Sequence, residues 1–133
     1  MIQGAGGLGV QAAAVAKDMG AATVIVIDQL PGRLELARGF GADHVINVKE
    51  ITERKDRVAL VRKWTGGVGG DVACDFVGFP QVIPEGIEML RPGGAIFAVP
   101  DALTDELVSP VNCALSQVIF GLHEAGLQLA AAS

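Results

Sequence analysis

A glycine-rich segment near the start of the chain, Gly4–Gly9 (GAGGLG), restricts the possible folds most strongly. It has GxGxxG spacing and leads directly into an alanine-rich run, Val10–Met19, that predicts a helix. In a loop of this kind Gly4 allows a tight turn out of a strand, Gly6 lets the backbone approach a pyrophosphate, and Gly9 lets the helix pack closely on the sheet. The free N–H groups at the start of the helix attract the phosphates. The segment therefore predicts a dinucleotide-binding strand–loop–helix unit.

Beyond this loop, short runs rich in β-branched residues alternate with helix-length amphipathic stretches. The run Thr23–Ile27 (TVIVI) is apolar almost throughout, which is typical of a parallel strand covered on both faces. Further strands are predicted at His44–Val48, Val72–Val77 and Ala95–Val99, and further helices from Pro31 to Gly39 or Gly41, at Thr52–Trp64 and at Gln81–Leu90. This alternation predicts an α/β fold with a Rossmann-type, doubly wound parallel sheet.

An acidic residue, Asp28, ends the strand that follows the loop, about 20 residues beyond it. A carboxylate there can accept hydrogen bonds from the ribose hydroxyls of NAD, and it would repel the 2′-phosphate of NADP. Arg33 lies close by in the sequence, and its positive charge partly offsets this preference. We therefore expect NAD rather than NADP as the cofactor.

The distribution of charge argues against a nucleic-acid partner. Basic side chains gather on the predicted helix Thr52–Trp64, which Thr52 is expected to cap, and we interpret them as a mostly solvated helix face: Arg54, Lys55, Arg57, Arg62 and Lys63. The net charge is −5, and Arg91 is the single basic side chain after residue 70. Such an acidic chain is a poor match for a phosphate backbone.

Composition excludes several other classes of protein. There is no tyrosine, so the catalytic tyrosine of short-chain dehydrogenases is missing. The two cysteines, Cys74 and Cys113, form no CxxC pair, which argues against a disulfide framework and favours a reduced, cytoplasmic setting. The longest uncharged stretches fall short of the roughly 20 apolar residues of a membrane span. A methyltransferase, which also uses a glycine-rich loop followed by an acid, stays open as an alternative.

Several stretches resemble the coenzyme domain of the medium-chain, zinc-dependent alcohol dehydrogenases: IQGAGGLGVQAAAVAKDMGA, VIVIDQLPGRLELARGFGADHVIN, WTGGVGGDVACDFVG and IEMLRPGG. Together they cover most of residues 2–94 in the family's order. The resemblance implies a parent enzyme that transfers hydride between an alcohol and NAD. It also implies the cofactor-binding residues, namely Gly4, Gly6, Gly7, Leu8 and Gly9 for the pyrophosphate, Asp28 and Arg33 for the adenosine ribose, and Val77 and Gly78 beside the cofactor.

The remainder of the chain departs from the family's order. Residues 101–129, with helices predicted at Asp101–Val108 and Val111–Glu124, resemble the family segment that precedes the first Rossmann strand. The order therefore looks circularly permuted, and we expect the first and last strands to be incomplete. Cys113 matches one zinc-ligand position of the family, but its partner ligands are absent. We expect no catalytic residues and no zinc site in this chain.

The whole chain, residues 1–133, is predicted to be a single dinucleotide-binding-like domain with its βαβ units in residues 1–100. We expect it to bind NAD(H) without turnover of its own. We also expect a homo-oligomer in which a partner subunit completes the sheet by strand swapping or edge pairing. The alternative is a non-catalytic, self-associating α/β module whose glycine loop is a relic. The two differ in whether Gly4–Gly9 still follows an ordered strand.

Overall fold

The computed structural model describes residues 1–98, in which strands and helices alternate. In chain order these are β1 (Ile2–Gln3), α1 (Gly7–Asp18), β2 (Ile25–Asp28), α2 (Pro31–Gly39), β3 (His44–Asn47), α3 (Arg54–Trp64), β4 (Gly70–Asp75), α4 (Ile83–Met89) and β5 (Leu90–Ala98), with a 3-10 turn at Pro80–Val82 before α4. The predicted alternation is confirmed. The helices predicted at Asp101–Val108 and Val111–Glu124 lie outside the described residues.

The five strands are parallel and lie in the order β3-β2-β1-β4-β5. β1 is central, since Ile2 pairs with Val26 of β2 and with Cys74 of β4. It has only two residues, so the expected incomplete first strand is present. The strand order reverses on the two sides of β1, and in sheets of this kind ligands bind at the carboxyl edge beside that reversal. The Rossmann-type, doubly wound sheet is confirmed.

Helices cover both faces of the sheet. α1 and α2 pack on one face, where Ala13 and Leu34 are buried. α3 and α4 cover the other face, where Val61 and Met89 are buried. Alternate residues of β2 belong to these two different hydrophobic clusters. That double burial is the reason why the sequence of β2 is apolar without alternation.

Helix α3 departs from the sequence expectation at two points. It begins at Arg54, so Thr52 is not its N-cap. Arg57, expected on a solvated face, is only 9% exposed. Its guanidinium pairs with the Glu85 carboxylate of α4 (Nε–Oε1 2.6 Å, Nη2–Oε2 2.8 Å) and donates to the carbonyls of Ile51 and Thr52. The partner is 28 residues away in the sequence, beyond the reach of any local pattern.

A second carboxylate, Asp43, fixes the amino edge of the sheet. Its Oδ2 accepts a hydrogen bond from the Val24 N–H (2.7 Å) and pairs with Lys17 Nζ (2.9 Å). Burial raises the pKa of Asp43, but the bonds from Val24 and Lys17 outweigh burial and hold the pKa below its ordinary value. The charged carboxylate therefore ties α1 to the starts of β2 and β3.

Candidate functional site

The glycine-rich loop joins β1 to α1 at the carboxyl edge of the sheet. Gly4 has a φ of +94°, a conformation that residues with a Cβ rarely adopt, and its N–H donates to the Ile27 carbonyl of β2 (2.8 Å). Gly6 is the N-cap of α1, and its carbonyl accepts the Val10 N–H (3.0 Å). The helix begins at Gly7, one turn earlier than predicted. The loop thus turns the chain sharply out of β1 and starts α1 at this edge.

The inner side of the loop is tightly packed, whereas its outer side is open. A Cβ at Gly9 would lie 1.8 Å from the Gly4 carbonyl oxygen, so only glycine lets α1 approach β1 this closely. A Cβ at Gly6 or Gly7 would meet nothing within 4 Å. The open side therefore leaves room for a group such as a pyrophosphate against the loop backbone.

The first turn of α1 offers backbone donors to such a group. Among residues 1–98, no side chain caps this helix, and its first turn contains no acidic residue. The first N–H groups of an α-helix have no acceptor within the helix and carry a partial positive charge. Gly7 is exposed and Leu8 is half-buried, so this end of the helix is accessible. It can receive an anion.

The Asp28 carboxylate lies directly beside the loop. It ends β2 and is only 9% exposed. Its Oδ2 accepts a hydrogen bond from the Ala5 N–H (2.7 Å), and its Oδ1 accepts one from the Leu30 N–H (2.9 Å). Arg33 Nη1 lies 4.0 Å from Oδ2 on a half-exposed side chain. Because each carboxylate oxygen can accept a second hydrogen bond, Asp28 can anchor the loop and still accept bonds from a ligand.

The turn after β4 closes the other side of the loop. A Cβ at Gly4 would lie 3.1 Å from both the Phe76 carbonyl carbon and Val77 Cγ2. The Val77 N–H donates to Oδ1 of Asp75 (2.8 Å), a residue that is 2% exposed. Val77, followed by Gly78, therefore lies next to Gly4. The carboxyl ends of β1, β2 and β4 meet at one place.

The structure brings the sequence-predicted cofactor residues to this edge: Gly4, Gly6, Gly7, Leu8, Gly9, Asp28, Arg33, Val77 and Gly78. Sequence reasoning missed Asp75 and the Ala5 N–H. The signal for Asp75 was an acid at the end of an apolar strand, the same pattern that singled out Asp28. The Ala5 donor is a backbone group, and no side chain marks it.

Comparison with known proteins decides the family. Residues 7–120 of the chain match the sequence model of the zinc-binding dehydrogenase family. The chain belongs to this family. The resemblance to the coenzyme domain of zinc-dependent alcohol dehydrogenases is thereby confirmed, and the methyltransferase alternative is excluded.

Relatives of the chain include enzymes from archaea and yeast. The L-threonine 3-dehydrogenase of Pyrococcus horikoshii is 42% identical over 96 residues, which are 72% of this chain and 26% of the relative. The D-xylulose reductase of Saccharomyces cerevisiae is 35% identical over 99 residues, 74% of this chain and 28% of the relative. Among solved structures, an alcohol dehydrogenase from Thermotoga maritima has a TM-score of 0.73 at 29% identity, covering 95% of this chain and 40% of that one.

The chain therefore spans less than half of the length of the relatives that it matches. The family match extends to residue 120 and so covers part of the segment 101–129. That segment lies outside the described residues. The permuted order of the chain, and the division of its single domain at residue 100, stay predictions.

The described residues contain few candidate metal ligands that lie close together. Within residues 1–98, no group of three or more His, Cys, Asp or Glu side chains could hold a metal ion. Cys74 is a buried free thiol of β4, and burial raises the pKa of this thiol. His44, at the start of β3, stacks on Trp64 with ring centroids 4.3 Å apart. Cys113 lies outside the described residues.

A cavity of about 490 Å³ lies at the opposite, amino edge of the sheet. Its lining includes Met1, Ala16, Thr23, Val68 and Val72. It lies in line with β1, between the starts of β2 and β4, and we call it the slot. Residues next to or within β2 and β4 therefore lie on opposite sides of the slot.

Proposed function

We propose that this domain binds NAD(H), and that it is related in function to enzymes that transfer hydride between an alcohol and NAD. The observation that carries the proposal is the uncapped start of α1 beside the Asp28 carboxylate, with open space over Gly6 and Gly7. A dinucleotide needs donors for its phosphates and an acceptor for its ribose hydroxyls in one site. Membership of a dehydrogenase family supports the same function.

The residues at this edge have separate roles in the proposed complex. The first turn of α1 binds the pyrophosphate, Asp28 accepts from the ribose hydroxyls, and Arg33 lies beside the adenosine ribose. Val77 and Gly78 line the side toward β4. The bound nicotinamide would supply the carbon that gives or accepts hydride, and the protein's part is to bind and orient it. We propose no turnover by the chain alone, because only Cys113 matches a zinc-ligand position of the family.

Replacing Asp28 by alanine is expected to weaken NAD binding about tenfold, because a charged acceptor is removed. The change also removes the acceptor of the Ala5 N–H, which loosens the loop. Affinity for NADP relative to NAD should rise, since repulsion of the 2′-phosphate is lost while Arg33 remains. Calorimetric titration with both nucleotides measures each effect.

Two variants separate ligand contact from loop support. Asp28→Asn keeps an acceptor for Ala5 but removes the charge, so it should relax the preference for NAD with a smaller loss of affinity. Asp43→Ala removes a carboxylate that also holds a backbone N–H, that of Val24, but at the opposite edge. It should lower stability without changing NAD affinity. Absence of binding to the unaltered chain at millimolar NAD would make the glycine loop a relic.

The slot favours a second candidate function, self-association through the incomplete sheet. Met1 already pairs with β4, since its ammonium group donates to the Val72 carbonyl (2.7 Å) and its carbonyl accepts the Cys74 N–H (3.0 Å). Further toward the amino edge, backbone groups of β2 and β4 could take hydrogen bonds from an added strand. An extended segment from a second copy of the chain, lying parallel to β1, would supply them. The slot and the candidate cofactor site occupy opposite edges of the sheet, so self-association and NAD binding are compatible.

Replacing Val68 by lysine is expected to shift the protein toward the monomer. Val68 lines the slot and is 53% exposed, so the substitution puts a charge where an inserted strand would bury it, with little effect on the core. Leu36→Lys is the matched control, because Leu36 is 52% exposed on α2 and away from the slot. Sedimentation velocity over a range of concentrations measures the oligomeric state of each variant. A monodisperse monomer of the unaltered chain contradicts self-association.

We infer a cytoplasmic setting without nucleic-acid partners. The buried free thiol of Cys74 supports a reducing compartment, and the net charge of −5 disfavours binding to a phosphate backbone. Within residues 1–98, no helix has the length and apolar character needed to cross a membrane.

A further inference from the structure

The central strand carries a polar side chain, Gln3, in the buried interior. Gln3 is 3% exposed. Its Nε2 donates to the Val82 carbonyl in the 3-10 turn (2.9 Å), 79 residues further along the chain. Its Oε1 is buried and has no hydrogen-bond partner among residues 1–98. The amide nitrogen of Gln3 is therefore hydrogen-bonded, whereas its amide oxygen has no partner among the described residues.

A contribution to the stability of the fold does not explain why Gln3 occupies this buried position. A buried acceptor without a partner costs more free energy than one neutral hydrogen bond contributes. An apolar side chain of the same length would fill the space without the unpaired oxygen. The role of Gln3 therefore lies in what its Nε2 holds in place.

Helix α4, which follows the 3-10 turn, has a glycine where it contacts the Gln3 side chain. A Cβ at Gly86 of α4 would lie 2.6 Å from Gln3 Oε1 and 2.9 Å from Ile96 Cδ1. The absence of a side chain at Gly86 thus leaves room for the amide between β1 and α4. Gln3 fits closely at the point where this helix contacts the sheet.

The chain that Gln3 holds is the segment that follows the candidate cofactor site. The Gln3 carbonyl accepts the Phe76 N–H (2.8 Å), and the Gln3 side chain binds Val82. Both ends of this segment, which contains Val77, are thus bonded to the residue directly before Gly4. A segment held at both ends has less conformational freedom than one held at a single end.

We propose that Gln3 is a positioning residue for the cofactor, its side-chain amide holding the segment 76–82 beside the glycine loop. Through this bond Gln3 sets the position of Val77 and Gly78 relative to bound NAD. The role rests on the proposed NAD binding, whereas the bond to Val82 does not. If the competent position of the segment is only partly populated, apparent affinity falls by the same fraction.

The test is Gln3→Met, which keeps the length of the side chain and removes the hydrogen bond. The Kd for NAD should rise about fivefold, while the urea midpoint without NAD should not fall. Amide hydrogen exchange at Phe79 and at residues 81–83 should become faster. Ile46→Met is the matched control: Ile46 is fully buried and packs in the cluster under α3 and α4, and the change should leave the Kd and this exchange as they were.

Each outcome decides the proposal. Unchanged Kd and exchange in Gln3→Met would overturn it. So would a drop in the urea midpoint, because Gln3 would then be a structural residue; Gln3→Leu repeats the test with a different shape. If the unaltered chain binds no NAD, the proposed function fails and the cofactor role of Gln3 with it. The exchange rates then still show whether Gln3 holds the segment.

Discussion

Replacing Gly9 by alanine is expected to destabilise the domain by about 3 kcal/mol and to abolish NAD binding. The new Cβ would lie 1.8 Å from the Gly4 carbonyl oxygen and 2.9 Å from the Gly4 carbonyl carbon. Both are backbone atoms of a residue with a φ of +94°, so no side-chain rotation relieves the overlap. α1 would have to move away from β1, and the backbone donors of its first turn would move with it.

Urea denaturation and NAD titration of Gly9→Ala measure the two effects. Gly39→Ala is the matched control, because Gly39 is also a helical glycine and a Cβ there meets nothing within 4 Å. That substitution should stabilise the domain by about 0.4–1 kcal/mol through the unfolded state. An unchanged urea midpoint for Gly9→Ala would contradict the close contact between α1 and β1.

Replacing Glu85 by alanine is expected to destabilise the domain by about 3–5 kcal/mol, because it leaves the Arg57 guanidinium buried without its counter-charge. The two side chains are 10% and 11% exposed. The hydrogen bonds that Arg57 donates to the Glu85 carboxylate raise the pKa of Arg57, against the effect of burial. Arginine stays protonated in proteins, so Arg57 cannot avoid the cost of a buried charge by becoming neutral. The carbonyls of Ile51 and Thr52 remain as acceptors but carry no charge.

Another ion pair between the same two helices provides the control for Glu85→Ala. Arg54 and Glu88 are joined at 2.6 Å (Nη2–Oε1), with side chains 40% and 54% exposed. Glu88→Ala should therefore cost less than about 1 kcal/mol. The double variant Arg57→Met, Glu85→Leu should recover much of the loss, since neither charge is left buried. Equal urea midpoints for Glu85→Ala and Glu88→Ala would show that burial of the Arg57–Glu85 pair does not increase its contribution to the free energy of unfolding.

The order of helices and strands is predictable because local sequence patterns determine it here. β2 is apolar throughout because both of its faces are buried, and the spacing of Gly4, Gly6 and Gly9 specifies a strand, a turn and a helix in that order. Gly20 follows Met19, the C-cap of α1, and has a φ of +91°, as expected of a glycine that ends a helix. These signals act within a few residues.

The boundaries and the long-range contacts were not predictable from local patterns. The strand predicted to begin at Ala95 begins at Leu90, where the sequence predicted the end of a helix. The extra residues at the start of β5 lie in a shift of register opposite Gly70 and Val72. The Arg57–Glu85 pair was missed because the charge pattern of α3 alone suggests a solvated face. The hydrogen bond from the Ala5 N–H to Asp28 was missed likewise, because it depends on the folded position of the loop.

The brevity of β1 has a consequence for cooperativity. Within the described residues, β2 pairs with β1 and β3, and β4 pairs with β1 and β5, so two residues of β1 join the two halves of the sheet. The candidate cofactor site lies across the same junction, with Asp28 on one half and Val77 on the other. A dinucleotide bound there would couple the unfolding of the two halves, so that the ligand determines how far the domain unfolds as a single unit.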